Sequence, residues 1–185
     1  MRSPFNLDAL PLQLGDFTPE QAAVLAAGLV SLPGDARSWM AAIYDQTDGH
    51  PYMTQKLCQK LCESPPDQPV EIADFVEQHA LEAFPANDSN LQFADAFVLS
   101  ADMDPRARES SSQSIRFRRS RELIDLYRYV FLEGRADWKP KENAHQQLLL
   151  SGMVKLRTER GKSFLVVRNR VFKRHFGRAW IITND

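Results

Sequence analysis

The spacing of hydrophobic residues changes near residue 150 of this chain, and that change limits which folds the chain can form. Over roughly the first 150 residues, apolar side chains recur three and four positions apart, the spacing of a buried helix face. Val154 and Leu156 then alternate with charged residues, and in a second run Phe164 and Val166 alternate with Leu165 and Val167. Gly161 lies between the two runs, which predicts a β-hairpin with a basic tip. The sequence therefore predicts a mainly α protein with one β-hairpin.

The helix ends of the first half are marked by local signals. Thr18 and Gln21 have the spacing of a capping box, and Asp35 can cap the following helix. Gly49 suits the end of that helix, and Pro51 suits the start of the next one. With a further apolar stripe after the proline-rich turn at 65–69, these signals predict a small bundle of four helices.

The predicted organisation has four parts. They are an extended segment at 1–17, a lid-like helical bundle at 18–85, a connecting helix with an exposed polar loop at 86–114, and a domain at 115–185. The last part is expected to hold a long helix, a helix at 142–151, the hairpin and a final helix. The final helix carries a stripe of Phe172, His175, Phe176, Ala179 and Trp180. This order is compatible with a winged-helix domain, a variant of the helix-turn-helix.

Charge divides the chain into two unlike halves. Residues 1–105 hold 4 basic and 16 acidic residues, whereas residues 106–185 hold 19 basic and 8 acidic residues. The net charge of −1 therefore conceals one half at −12 and another at +11. The basic half could face nucleic acid, the acidic half of the same chain, or another acidic protein, and charge alone does not choose among these.

Composition narrows the class of protein. The longest apolar run, Ala22–Val30, has nine residues, whereas a membrane-spanning helix needs about 20. The first residues do not have the pattern of a signal peptide, so we expect a cytoplasmic protein. Cys58 and Cys62 are the only cysteines, which excludes a disulfide framework. They are expected on a buried helix face as small hydrophobic residues.

No catalytic or metal-binding pattern is present in the sequence. Gly161, Lys162 and Ser163 match the end of a phosphate-binding P-loop, but the glycine needed five positions earlier is Leu156. The four histidines are too scattered to complete a zinc site with the cysteines. We therefore expect no enzyme activity and no metal. An enzyme of unrecognised type would need a pocket with titratable groups of perturbed pKa.

The basic half contains a set of candidate contacts with duplex DNA or an acidic partner. In a DNA-binding winged helix, two lysines would precede the major-groove helix, two glutamines would lie on its outer side, and three cations would lie on the wing. These residues are Lys139, Lys141, Gln146, Gln147, Arg157, Arg160 and Lys162. A solvated basic face, or one packed against acidic protein, is the other interpretation of the same pattern.

Several stretches resemble one protein family. Thr47–Cys58 reads TDGHPYMTQKLC and resembles the T-G-G-(H/Q)-P-(Y/F)-L-T-Q-K-L-C signature of the AAA-like domain of bacterial STAND-type signalling ATPases. Ser3–Asn6 and Leu14–Thr18 resemble the SPFN and L-x-x-F-T segments of that family. Leu148–Val154 and Val167–Phe172 resemble its L-L-L-S-G-L-V and V-x-N-R-(I/V)-(Y/F) segments. Asp48 departs from the signature, because it replaces the first glycine.

The resemblance implies a helical lid followed by a winged helix, without the P-loop part of the ATPase. By resemblance, Gly49, His50 and Pro51 correspond to a lid motif that packs near bound nucleotide, although glycine and proline also simply shape a helix corner. ATP or ADP is then expected only where a P-loop domain is present. Such a chain is a regulatory module that changes conformation with nucleotide, and it is either a piece of a longer ATPase or a stand-alone remnant.

The expected partners follow from these interpretations. The regulatory module would bind the P-loop domain or another protein, and the surface left by a missing domain could self-associate. The alternative function is a DNA-binding winged-helix transcriptional regulator, for which the basic half would supply the contacts. Neither interpretation involves a membrane.

Overall fold

The helices and strands of the computed structural model follow the predicted change of period. The structure describes residues 15–100 and 113–184, apart from the side chains of residues 100 and 113–118. Within these residues the helices are α1 (Pro19–Leu25), α2 (Ala36–Thr47), α3 (Pro51–Glu63), α4 (Ile72–Ala83), α5 (Ser89–Ser100), α6 (Gln113–Glu133), α7 (Asn143–Leu150), α8 (Arg170–His175) and α9 (Arg178–Asn184). The strands are β1 (Ala136–Asp137), β2 (Val154–Glu159) and β3 (Lys162–Val167), and a short 3-10 turn, Ala26–Leu29, follows α1. A mainly helical fold with a small antiparallel sheet is thereby confirmed.

The helix ends of the first half form as their local signals predict. The Thr18 hydroxyl accepts a hydrogen bond from the Gln21 backbone N–H, and the Gln21 side chain accepts one from the Thr18 backbone N–H. Asp35 accepts bonds from the backbone N–H groups of Arg37 and Ser38. Each bond satisfies a donor that the first turn of a helix leaves free. The starts of α1 and α2 are therefore set by sequence-local contacts.

The hairpin forms in the predicted place, and a third strand joins it. β2 and β3 pair antiparallel from Val154 opposite Val167 to Glu159 opposite Lys162. The turn between them has positive φ at both Arg160 (49°) and Gly161 (78°), as a type I′ turn requires. The two-residue strand β1 pairs with the other edge of β3, so the order is β1-β3-β2. The sequence did not predict β1, because two residues are too few to show a period.

The predicted final helix is wrong in one respect, because the chain forms two short helices there. α8 ends at His175, and α9 begins at Arg178. Residue 177 is glycine, and a Cβ at that position would lie only 3.2 Å from the carbonyl oxygen of Arg174. Phe172 and Phe176 are buried as predicted, whereas Ala179 is exposed. The stripe of apolar residues thus continues across a break in the helix.

One hydrophobic core joins residues from both halves of the chain. Its largest fully buried side chains include Trp39 from the first half and Tyr127 and Phe176 from the second. The Tyr127 hydroxyl donates to the Phe176 carbonyl at 3.1 Å, and burial raises the pKa of this phenol. The shared core fixes the helices of the first half against the sheet.

Two predicted regions fall wholly or largely beyond the described residues. The extended segment at 1–17 is described only from residue 15, and the polar loop at 104–114 only at its last two residues, which begin α6. The domain boundaries proposed from the sequence remain predictions.

Candidate functional site

Residues 47–51 form a tight corner between α2 and α3, and this corner contains the predicted nucleotide-proximal residues. Asp48 has left-handed backbone geometry (φ 46°) and donates its N–H to the Tyr44 carbonyl at 2.7 Å. Gly49 also has positive φ (76°), and a Cβ there would lie 2.2 Å from the Phe17 carbonyl oxygen. Phe17 in turn donates its N–H to the Gly49 carbonyl at 2.8 Å. Only glycine allows this approach of the two backbones.

The corner is tied to the hairpin by a network of charged side chains, which we call the corner network. Lys155 on β2 places its Nζ 2.7 Å from Oδ2 of Asp48 and 3.6 Å from Oδ2 of Asp16. Arg157 reaches Asp48 at 3.5 Å, and Arg168 reaches Asp16 at 2.6 Å. Lys155 is only 18% exposed, so water screens its attraction to Asp48 less than it screens a surface pair. The two carboxylates thus hold the hairpin against the corner.

A buried amide makes a second connection between the same parts. Asn169 lies just before α8, and its Oδ1 accepts from the Phe172 backbone N–H at 3.0 Å. Its Nδ2 donates to the Thr47 carbonyl at 3.0 Å. Both Asn169 and Thr47 are buried, where an unmade hydrogen bond is costly. One side chain therefore caps α8 and also binds the corner.

His50 lies on the corner, within electrostatic influence of Arg168 in the corner network. Its ring stacks on Phe172 with the centroids 6.5 Å apart. Burial and then the positive charge of Arg168 lower the pKa of His50, against the opposing effect of Asp16. Its Nδ1, like Nε of Arg168, is buried without a hydrogen-bond partner among the described residues. The structure thus places at this corner a half-buried imidazole, between Gly49 and Pro51, whose Nδ1 lacks a partner among the described residues.

The candidate DNA contacts do not form one free basic surface. Lys139 pairs with Glu142 at 3.0 Å, and Gln146 donates its Nε2 to the Pro140 carbonyl at 2.6 Å. Gln147 is half-buried, and Arg157 belongs to the corner network. Among these candidate contacts, the exposed cations for which the described part of the chain offers no ion-pair partner are Lys141, Arg160 and Lys162.

The acidic first half supplies partners for the basic second half. Besides the corner network, Arg170 pairs with Asp45 at 3.0 Å, and Arg174 pairs with Glu77 at 3.0 Å. Of the three partners that the sequence left open for the basic half, the acidic half of the same chain is observed. The sequence showed opposite charges in the two halves, but no local pattern identified Asp16, Asp48 or Asn169 as contacts between them.

The two cysteines lie on α3, and the P-loop-like triplet lies at the tip of the hairpin. Cys58 is half-buried, and burial together with the neighbouring Cys62 raises the pKa of Cys58 to about 11. Cys62 is exposed, so its predicted burial is wrong. Gly161 lies in the hairpin turn, and a strand rather than a helix follows it. Among the described residues, no group of three or more histidine, cysteine or carboxylate side chains is arranged to hold a metal ion.

Comparison with known proteins does not assign the chain to a family. No model of a protein family, no curated protein and no solved structure matches the chain. None of the helices within the described ranges is both long enough and apolar enough to cross a membrane.

Proposed function

We propose that this chain is a non-catalytic lid and winged-helix module of a STAND-type AAA-like signalling ATPase. It acts as a nucleotide-dependent conformational switch and as a protein-interaction unit. The proposal begins from the resemblance of Thr47–Cys58 to the lid signature of that family. The observation that carries it further is the ion pair between Asp48 and Lys155, 107 positions apart in sequence and 2.7 Å apart in space.

The contacts of the corner support a mechanism for such a switch. In the family, the motif matched by Gly49, His50 and Pro51 lies near nucleotide. Here the corner contacts the hairpin through Asp48 and contacts α8 through Asn169. A displacement of the corner would therefore move the hairpin and α8 with it, because both connections are made by partly or fully buried groups. A ligand changes such an equilibrium only as far as it binds the two arrangements differently.

A binding experiment tests the proposal with the intact chain. The probe is a P-loop domain from a STAND-type AAA-like ATPase, loaded either with ADP or with a non-hydrolysable ATP analogue. We expect association whose affinity differs about tenfold or more between the two nucleotides, since a coupling of 1–3 kcal/mol is typical. His50→Ala should reduce that difference. Equal affinity with both nucleotides, or no association with either, would contradict the proposal.

DNA binding is the second candidate function, and one observation favours it. Lys141, Arg160 and Lys162 are exposed and have no ion-pair partner in the described part of the chain. The position of Arg157 weighs against it, because this arginine contacts Asp48. The test is titration of a labelled random duplex at two salt concentrations. Binding that weakens steeply with salt and is lost in Arg160→Glu/Lys162→Glu would support this function.

A further inference from the structure

A groove with acidic walls crosses the basic half of the molecule, away from the corner. Two adjoining clefts of about 480 and 460 Å³ share Leu126 and His145. One wall is a face of α6, and the other is formed by β1 and the start of α7. The carboxylates that line the two clefts are Glu122, Asp125, Glu133, Asp137 and Glu142. We call this feature the acidic groove.

The negative charge of the acidic groove is only partly neutralised. Its two cations are Arg135 and Lys139. Lys139 pairs with Glu142, and Arg135 pairs at 3.0 Å with a carboxylate of β2 outside the groove. Three of the lining carboxylates have no ion-pair partner in the described ranges, and they are Glu122, Glu133 and Asp137. This surplus of carboxylates is notable because residues 106–185 carry a net charge of +11.

Apolar side chains lie along the same face of α6. Leu126 is half-buried and lines both clefts. Tyr129, three positions further on, lines one cleft and is 55% exposed. Residues three or four apart on a helix are neighbours. From Glu122 to Glu133, α6 runs for about 16 Å, the length of three helical turns.

We propose that the acidic groove docks an amphipathic helix of a partner protein, with Lys and Arg flanking its apolar stripe. The apolar residues of the helix would cover Leu126 and Tyr129, as in other helix-in-groove complexes. Its cations would face Glu122, Glu133 and Asp137, which increases the association rate and selects against acidic segments. Nucleic acid does not fit here, because its phosphates would meet the same carboxylates. The inference goes beyond the proposed function, since it needs neither nucleotide nor the corner.

A pair of model peptides tests the proposal on the intact chain. The probe is a labelled Leu/Lys amphipathic helix of about 18 residues, and its counterpart has the same leucines with Glu in place of Lys. Fluorescence anisotropy would be recorded at about 50 and about 300 mM salt. We expect the Leu/Lys peptide to bind, with an affinity that falls as salt rises, and the Leu/Glu peptide to bind at least about tenfold more weakly.

Two double variants locate the binding site. Glu133→Lys/Asp137→Lys should weaken binding of the Leu/Lys peptide about tenfold or more. Glu63→Lys/Asp67→Lys makes the same change of net charge at exposed positions of the first half and should leave binding within about twofold. Tyr129→Ser should also weaken binding, because it removes part of the apolar surface without changing charge. Far-ultraviolet circular dichroism of each variant confirms that it is folded.

The outcomes separate this inference from the proposed function. Binding that weakens equally in both double variants would show attraction to net charge alone and would overturn the acidic groove as the site. Absence of binding at low salt would overturn it as well. Neither result bears on the nucleotide-dependent association with a P-loop domain, because that association is tested at the corner, through His50, and not at the acidic groove.

Discussion

Oδ2 of Asp48 lies 2.7 Å from Nζ of Lys155. This ion pair joins the left-handed residue at the end of α2 to the second residue of β2. The two side chains are 29% and 18% exposed. Because they are only partly hydrated, their attraction is screened less than that of most surface pairs. The fold thus couples a helix corner in the acidic half to the hairpin of the basic half.

Gly49→Ala should destabilise the protein strongly. A left-handed backbone at a non-glycine residue costs about 1–2 kcal/mol, and the new Cβ would also lie 2.2 Å from the Phe17 carbonyl oxygen. We expect the free energy of unfolding to fall by more than about 2 kcal/mol in urea titrations. Gly134→Ala is the matched control, since Gly134 has φ of 80° with open space around it. Equal losses in the two variants would contradict the close approach of the backbones.

Asn169→Ala should remove two buried hydrogen bonds at once. The substitution leaves the Phe172 N–H without its cap, and it removes one of the two donors to the Thr47 carbonyl, which still accepts from the His50 N–H at 3.0 Å. We expect a loss of about 2–3 kcal/mol, measured by chemical denaturation. The comparison variant is Asp35→Ala, which removes an exposed helix cap and should cost about 1 kcal/mol. A smaller loss for Asn169→Ala than for Asp35→Ala would show that the buried contact with Thr47 contributes nothing.

Stability should fall as the pH decreases through about 6.5, the pKa of an unperturbed histidine. Burial lowers the pKa values of His50, His145 and His175 in the folded protein. Below about pH 6.5 the unfolded chain therefore binds protons that the folded chain does not, so stability increases with pH in this window. Urea unfolding between about pH 5 and pH 8 measures the slope. His50→Gln should make the slope shallower, and an unchanged slope would contradict the lowered pKa of His50.

Arg160→Asn should stabilise the hairpin. Arg160 has φ of 49° in the two-residue turn, and asparagine adopts this left-handed geometry more readily than arginine. We expect the free energy of unfolding to rise by about 0.5–1 kcal/mol in thermal or urea unfolding. Lys162→Asn, at the first position of β3, should give no such gain because asparagine is disfavoured in strands. A loss of stability in Arg160→Asn would rule out a type I′ turn.

The features that the sequence predicted are those fixed by neighbours in the chain. The capping box of Thr18 and Gln21 and the cap at Asp35 each depend on residues within a few positions. The hairpin was predictable because alternation and a turn glycine occur together. Local signals of this kind specify where an element begins and ends, and they are independent of the rest of the fold.

The remaining features depend on contacts between distant residues. β1 exists because Ala136 and Asp137 meet β3, and no pattern in two residues can show that. The break between α8 and α9 falls within a stripe of apolar residues that keeps its helical spacing, so the spacing did not predict the break. Asp48 was singled out only as a departure from a signature, although it contacts both Lys155 and Arg157. Opposite charges in the two halves indicated that such pairs could form, but not which residues form them.

A double-mutant cycle on Asp48 and Lys155 measures the coupling between the corner and the hairpin most directly. Asp48→Asn keeps a residue suited to left-handed backbone, and Lys155→Met keeps the length of the side chain. Urea unfolding of the wild type, the two single variants and the double variant gives the interaction energy. We predict a favourable coupling of about 1 kcal/mol or more that decreases as salt is added. A coupling of zero within error at low salt would contradict an energetic connection between the corner and the hairpin.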